Sequence, residues 1–298
     1  MKESKSLCAL LAGLLLLGAC SPARPQPPAA TPQPIIDVAA TATPPPAPSA
    51  TPAPSPTPTP AAPLVALDPG HGGEDLGARH FKRDGNMDIY ESEINLQLAL
   101  RIGDKLEDKG LRVVYTRDGD YYPNRNKVDL NGDGEFGDRD DLIYRNRLVN
   151  QAGADLLLSL HENGWEHPDE ELVRATGGTT TYYCSSRPFA DRSLAFATLV
   201  QAQVLATLQR FGLTPIDRGI LVAHDNEIDP TSSGTHLVMF GPVDDVIKEA
   251  SQMPGCLSEP MFMTCDAEAE LMQRDDFMDA LADGYVNAIV AYFQEQGR

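Results

Sequence analysis

The chain has 298 residues, with 24 Lys and Arg against 43 Asp and Glu and a formal net charge of −19. That balance argues against nucleic acid, whose binding rests on Lys and Arg neutralising phosphates, and against electrostatic capture by anionic lipid. The length beyond the N-terminal segments suffices for one well-packed domain.

Lys2 and Lys5 precede an apolar run from Leu7 to Leu17, closed by Gly18-Ala-Cys20. A charged start, a short apolar stretch and small residues before a cysteine read as a secretory signal over residues 1–20, too short to span a bilayer. The final cysteine looks like a lipobox, which makes Cys20 the lipidated mature terminus and predicts an exported, membrane-anchored chain in the cell envelope. Residues 21–63 are Pro, Ala, Thr and Ser with few bulky apolar side chains. Such a stretch cannot bury a core and reads as a disordered, semi-rigid tether. The signal and tether carry few charges, so the acidity belongs to residues 64–298.

That region opens on the apolar run Leu64-Val-Ala-Leu-Asp-Pro-Gly-His71, a buried strand ending in a histidine. A Gly- and Asp-rich loop follows to about Tyr90. Glu91 then starts an apolar-periodic helix that stops near Gly110, a usual helix terminator. A strand is expected over residues 111–116. Residues 119–140 form an acidic insertion containing Asp129-Leu-Asn131-Gly-Asp133-Gly-Glu135 and Asp140. Oxygen ligands at loop positions 1, 3, 5 and 12, with glycine at 6, match a calcium loop of EF-hand type. Asp129, Asn131, Asp133 and Asp140 would offer side chains and Glu135 its carbonyl to a structural Ca2+. A helix is expected over 141–151, then a strand over 154–160 leading to His161. Strand at 179–184, helix at 192–211, short strands at 219–223 and 256–259, and a closing helix at 277–293 complete the pattern. Strands alternating with helices predict an α/β fold, a mostly parallel twisted sheet with helices on both faces.

Two histidines at the carboxyl ends of strands occupy the address where open α/β sheets gather ligands. Imidazoles suit a borderline metal such as zinc, and catalytic zinc commonly takes two His and one Glu with an open position for water. Glu91 is the candidate third ligand; Glu93 is a rival two residues away, and either carboxylate could merely complement the helix dipole. His224 and His236 stay outside this set. Cys184, Cys256 and Cys265 can form at most one disulfide, and burial as small apolar residues is the other reading.

The succession Asp68-Pro-Gly-His71-Gly-Gly, Glu91-Ser-Glu-Ile-Asn-Leu96, Thr116-Arg-Asp118, Ser159-Leu-His161-Glu-Asn163 and Met253-Pro-Gly-Cys-Leu-Ser-Glu259-Pro-Met-Phe262 resembles the autolysin-type, zinc-dependent N-acetylmuramoyl-L-alanine amidases. The resemblance runs from Leu64 to about Phe293. It implies a single catalytic domain with Zn2+ on His71, Glu91 and His161, and it favours Glu91 over Glu93. It further implies Glu259 as the catalytic carboxylate and peptidoglycan as the substrate; Asn163 reads as a group that orients the site or the substrate, and the chain is expected to be a monomer. Two departures bear on the pocket wall: Met261 stands where the family often has Gly, and Glu162 where a small residue is usual. The alternatives are a zinc peptidase acting on another amide, or a catalytically silent peptidoglycan-binding module.

Overall fold

A computed structural model describes residues 61–222, 237–243 and 247–298. The expected signal peptide, Cys20, nearly all of the tether, His224 and His236 lie outside the described residues. Six strands form one sheet in the order β4-β1-β5-β8-β6-β7, and β2 (Arg79–Phe81) and β3 (Met87–Tyr90) form a separate antiparallel hairpin. In the main sheet, β1 (Leu64–Pro69) lies between β4 (Arg112–Tyr115) and β5 (Leu156–Leu160), parallel to both. Beyond them β8 (Gly255–Glu259) runs parallel to β5. β6 (Thr179–Tyr183) is antiparallel to β8 and parallel to β7 (Asp217–Val222). The sheet is mostly parallel, as expected.

Both faces are covered, which explains why β1 and β5 read as continuous apolar runs rather than alternating ones. Val65, Leu67, Leu156 and Leu158 enter the larger core. That core also takes Leu98 and Ile102 from α1 (Glu91–Asp108), Phe196 and Val200 from α4 (Ala190–Arg210), and Tyr285 and Ile289 from α6 (Asp275–Glu295). Ala66 and Leu157, one position along each strand, point to the opposite face, where Val149 of α2 (Asp138–Ala152) meets Met239 and Phe240. Burying a leucine of this kind contributes about 1.5–3 kcal/mol, so two-sided burial concentrates apolar stabilisation in these central strands.

Helix ends differ from expectation by a few residues: α2 begins at Asp138, because Gly137 and Asp140 form a reciprocal cap before the first apolar turn. The hairpin, α3 (Glu170–Ala175) and α5 (Asp266–Met272) were not expected, being too short to show periodicity. Cys184, Cys256 and Cys265 are buried and none of the three forms a disulfide, so the disulfide reading is corrected to burial. Among the described residues no helix is long and apolar enough to cross a membrane.

Register sets up the site. Pro69 pairs with Leu160, and Leu160 with Ser258, so β1, β5 and β8 end level with one another. The ladder continues one step further, with Gly70 N donating to Leu160 O (2.9 Å) and His161 N to Ser258 O (3.0 Å). His71, His161 and Glu259 therefore emerge at a single carboxyl edge.

Candidate metal centre

His71 leaves β1 in the left-handed region (φ 61°), an uncommon conformation for a residue with a side chain. The turn is held from several sides: Gly72 N donates to Asp75 O (2.9 Å), and Arg145 Nη2 donates to His71 O (2.6 Å). Its Nδ1 meets Asp75 Oδ2 at 2.7 Å, which leaves Nε2 facing Glu91 Oε1 at 3.0 Å. His161 brings Nδ1 to the same Oε1, also at 3.0 Å. One ligand atom from each of His71, Glu91 and His161 lies within 4.8 Å of the others, and among the described residues no other such group of three His, Cys, Asp or Glu forms. Glu93, the rival, is exposed on the outer side of α1 and donates nothing to the cluster.

Glu91 is buried at the first position of α1, where the helix dipole favours a negative charge. Ala78 N donates to its Oε2 (2.8 Å) and Glu162 N to its Oε1 (3.0 Å). Burial alone would raise its pKa, but the two imidazoles outweigh that and hold the carboxyl well below its ordinary range. His71 responds inversely: burial lowers its pKa, yet Glu91 and Asp75 together push it up to about 10. A buried carboxylate flanked by two imidazoles favours a positive charge between them, which a proton or a metal ion satisfies. Two nitrogens and one oxygen are a donor set that fits zinc, with Asp75 as the outer carboxylate that fixes the His71 tautomer.

The edge tolerates no bulk. A Cβ on Gly70 would stand 2.3 Å from His161 Cε1, and one on Gly77 would stand 2.4 Å from Glu91 Oε2.

Glu259 ends β8 and is partly buried. Asn163 Nδ2 donates to its Oε2 (2.6 Å), and Asn163 is itself fixed by its N–H to Met261 O (2.8 Å). Burial and the nearby Glu91 charge push the Glu259 carboxyl up to about 8. The two departures from the resembled pattern turn out to touch each other. Met261 lies wholly within the larger core, and its N–H donates to Glu162 Oε2 (3.2 Å). Glu162 is buried, and its pKa is raised well above the ordinary value by that burial and by Glu91 and Glu268. Neither residue forms the cleft wall, so the expected change to the pocket is corrected to a change beneath it.

Sequence reasoning missed the support under the ligands. Asp68 is fully enclosed and accepts from Thr116 Oγ1 (2.6 Å), Ser159 Oγ (2.7 Å) and Arg145 Nη1 (2.9 Å). Arg117 Nε donates to Pro69 O (2.9 Å), and its Nη2 donates to Gly70 O (2.8 Å) and Ser92 O (2.7 Å). Asp75 had a sequence signal, a carboxylate four residues after a histidine in a glycine-rich loop. Arg145 had none, since a helical arginine ordinarily reads as solvated.

The acidic insertion braces this loop instead of standing apart from it. Asp120 Oδ1 accepts from Gly73 N (2.8 Å), and Lys127 pairs with Glu74 (3.0 Å). Within it, Asp129 accepts from Gly132 N (2.6 Å) and Gly134 N (2.8 Å), and Asn131 Oδ1 accepts from Asp133 N (2.8 Å). Asp140 accepts from Leu130 N (2.7 Å), Asn131 N (2.8 Å) and Gly137 N (2.8 Å), while Glu135 is exposed with its N–H on Asp133 (3.0 Å). Asp129, Asp133 and Asp140 do not converge as a three-carboxylate group.

The family model described as N-acetylmuramoyl-L-alanine amidase matches residues 65–291. A germination-specific N-acetylmuramoyl-L-alanine amidase of Bacillus subtilis is 26% identical over 238 residues, covering 78% of this chain and 81% of that protein. The uncharacterized protein YqiI of the same organism is 27% identical over 233 residues, covering 78% and 85%. The crystal structure of an N-acetylmuramoyl-L-alanine amidase from Clostridium difficile superposes with a TM-score of 0.54 at 28% identity, covering 78% of this chain and 98% of that one.

Proposed function

The chain belongs to the N-acetylmuramoyl-L-alanine amidase family, and from that premise we propose a peptidoglycan hydrolase that cuts the amide between the muramoyl lactyl group and L-alanine. The observation that carries this reading is the convergence of His71, Glu91 and His161 at one sheet edge, with Glu259 on the neighbouring strand end. Zinc held by the three ligands would polarise the amide oxygen and bring the pKa of water to about 7.

The chain's own groups handle the protons. Asn163 occupies Oε2 of Glu259, which leaves Oε1 to take the proton of the attacking water. As the tetrahedral carbon collapses, the C–N bond breaks and the same carboxyl returns that proton to the departing amine of L-alanine. General acid–base transfer of this kind is worth roughly 10²–10⁴ in rate. His161 is kept in register by the β5 ladder and His71 by Asp75, so the ligands need no rearrangement to act.

Outside the described residues, we propose that Cys20 carries lipid and that residues 21–63 tether a monomeric catalytic domain on the outer side of a membrane. At polyproline rise that tether reaches about 130 Å, enough to scan a wall layer. We also propose structural Ca2+ at residues 129–140, supported by the ligand spacing and by the tight turns at Gly132 and Gly134.

Purified sacculi incubated with the protein should release free stem peptides with new L-alanine amino termini. Chelator and Glu259→Ala should each abolish release, and Glu259→Ala should retain zinc. Release that survives Glu259→Ala removes the assigned base; zinc-independent release removes the metal reading; binding without release leaves the silent module.

A further inference from the structure

A groove starts at Gly77, the residue that abuts Glu91 and His71. Its near end, about 650 Å³, is lined by Gly77, Ala78, Gly164 and Trp165. An adjoining cavity of about 420 Å³ shares Arg79, Phe81 and Trp165 and extends to Lys82. The floor beside the ligands carries almost no side chain, since Gly77 abuts Glu91 and His71 and Gly164 abuts Ala78. A bound chain in this groove would pass Gly77, which abuts Glu91 and His71, and run out along the β2–β3 hairpin.

The hairpin supplies the wall. On β2 the burial pattern is exposed, buried, exposed, so Arg79 and Phe81 share the outward face while His80 points in. Phe81 keeps 43% of its surface open. Trp165, the only tryptophan in the chain, stacks on His167 with ring centroids 5.0 Å apart. The charges are not equivalent: Arg83 is committed to Glu171 (2.6 Å) and Arg174 to Asp266 (2.8 Å). Arg79 and Lys82 form no ion pair among the described residues. Glu166 lines both cavities and Glu170 the outer one, so any attraction for anions is local to the hairpin rim at Arg79 and Lys82. On a chain with a net charge of −19, Arg79 without an ion pair and Lys82 with only the exposed Asp84 near it, both beside aromatic surface in the groove that starts at Gly77, call for an anionic ligand.

We propose that Arg79 and Lys82 receive free carboxylates on the peptide arm of the substrate, while Phe81 and Trp165 pack its short aliphatic side chains. The groove would thus select acidic stem peptides over amidated ones. This rests on the amidase reading above and names the substrate class that reading leaves open. Cations at the rim would act on substrate binding and leave the chemical step to Glu259 and the metal set.

The test compares two soluble substrates, N-acetylmuramoyl-L-alanyl-D-isoglutamate and its isoglutamine amide, cleaved by the full chain and by an Arg79→Gln/Lys82→Gln variant. The wild-type chain should show a KM about fivefold lower for the acid, the scale of two exposed charge pairs, with similar kcat for both. The double variant should bring the ratio of KM values close to one, and added salt should do the same to the wild type. Equal KM values in the wild type, or a preference that survives the double substitution, would overturn the proposal. So would a loss that falls equally on both substrates, which means that Arg79 and Lys82 contact a part the acid and the amide share. A second readout is independent of turnover: the dipeptide L-alanyl-D-isoglutamate titrated by NMR onto the zinc-loaded Glu259→Gln chain, with and without the two substitutions. If neither muramoyl substrate is cleaved, the amidase reading fails, while the dipeptide titration still decides the groove; absence of salt-sensitive binding there would defeat it.

Discussion

Gly70→Ala is the sharpest probe of the metal centre, because it touches a ligand without removing one. The added methyl would stand 2.3 Å from His161 Cε1 and 2.4 Å from Nε2, whereas ordinary contact begins near 3.4 Å. The ring must therefore retreat by roughly 1 Å to regain van der Waals distance. Metal–ligand distances tolerate only about 0.2 Å. Gly70 does not use the left-handed region, so alanine fits its backbone, and the Gly70 N–H to Leu160 O bond survives. The cost should fall on the site and spare the fold. Losing an orienting contact typically lowers metal affinity 10–100-fold. A displaced ligand should reach at least the upper end, about 100-fold or 2.7 kcal/mol. Competition against a chromophoric zinc chelator measures this directly, and the melting midpoint of the metal-free variant should stay within a few degrees of the parent. Wild-type zinc affinity in Gly70→Ala would refute the placement of His161.

Asp75→Ala removes the partner of His71 Nδ1 and should lower zinc affinity about 10–100-fold by the same titration, without melting the domain. Arg145→Met leaves Asp68 and Asp141 buried without their shared cation, and should cost about 3–5 kcal/mol in urea unfolding. Glu259 works as a base only when ionised, and burial with the Glu91 charge raises its pKa to about 8. On the acid side kcat/KM should therefore climb with pH, with the midpoint at or below 8 once zinc is loaded; a rate that falls from pH 5 to 7 contradicts the role. Millimolar calcium should raise the melting midpoint of the full chain, and Asp129→Ala should cancel the rise; no shift in the parent excludes the ion at residues 129–140.

The sheet was legible because its central strands obey a two-faced rule that sequence expresses directly. Leu156-Leu-Leu158 is apolar at every position since both faces are covered. The ligands were legible for a related reason: a histidine directly after such a run has few places to go except the strand end. β2 and β3 were invisible, because Arg79-His-Phe81 is three residues long and its one buried side chain is a histidine. His80 earns that position through Asp88 and Asp266, the second of which lies 186 residues away. Glu162 was misread as cleft wall for a similar reason: nothing local reveals that strand alternation after His161 sends it inward to the Met261 N–H.

The pattern of what was missed has a physical logic. Ligand identity is a local property, whereas ligand position is imposed by residues that never touch the metal. Asp68 alone joins β1 to β4 through Thr116, to β5 through Ser159 and to α2 through Arg145. Arg117 and Arg145 then both hold Pro69 O, and each goes on to a carbonyl of the residues just after it, Gly70 or His71. Two guanidinium groups with fixed fork geometry thus define where a strained His71 backbone must run. A lysine could supply the charge at either position but not two directed bonds in one plane. The site's precision therefore resides in a buried polar lattice under the loop, and removing any one of its members should loosen the metal set more than any change on the open side of the cleft.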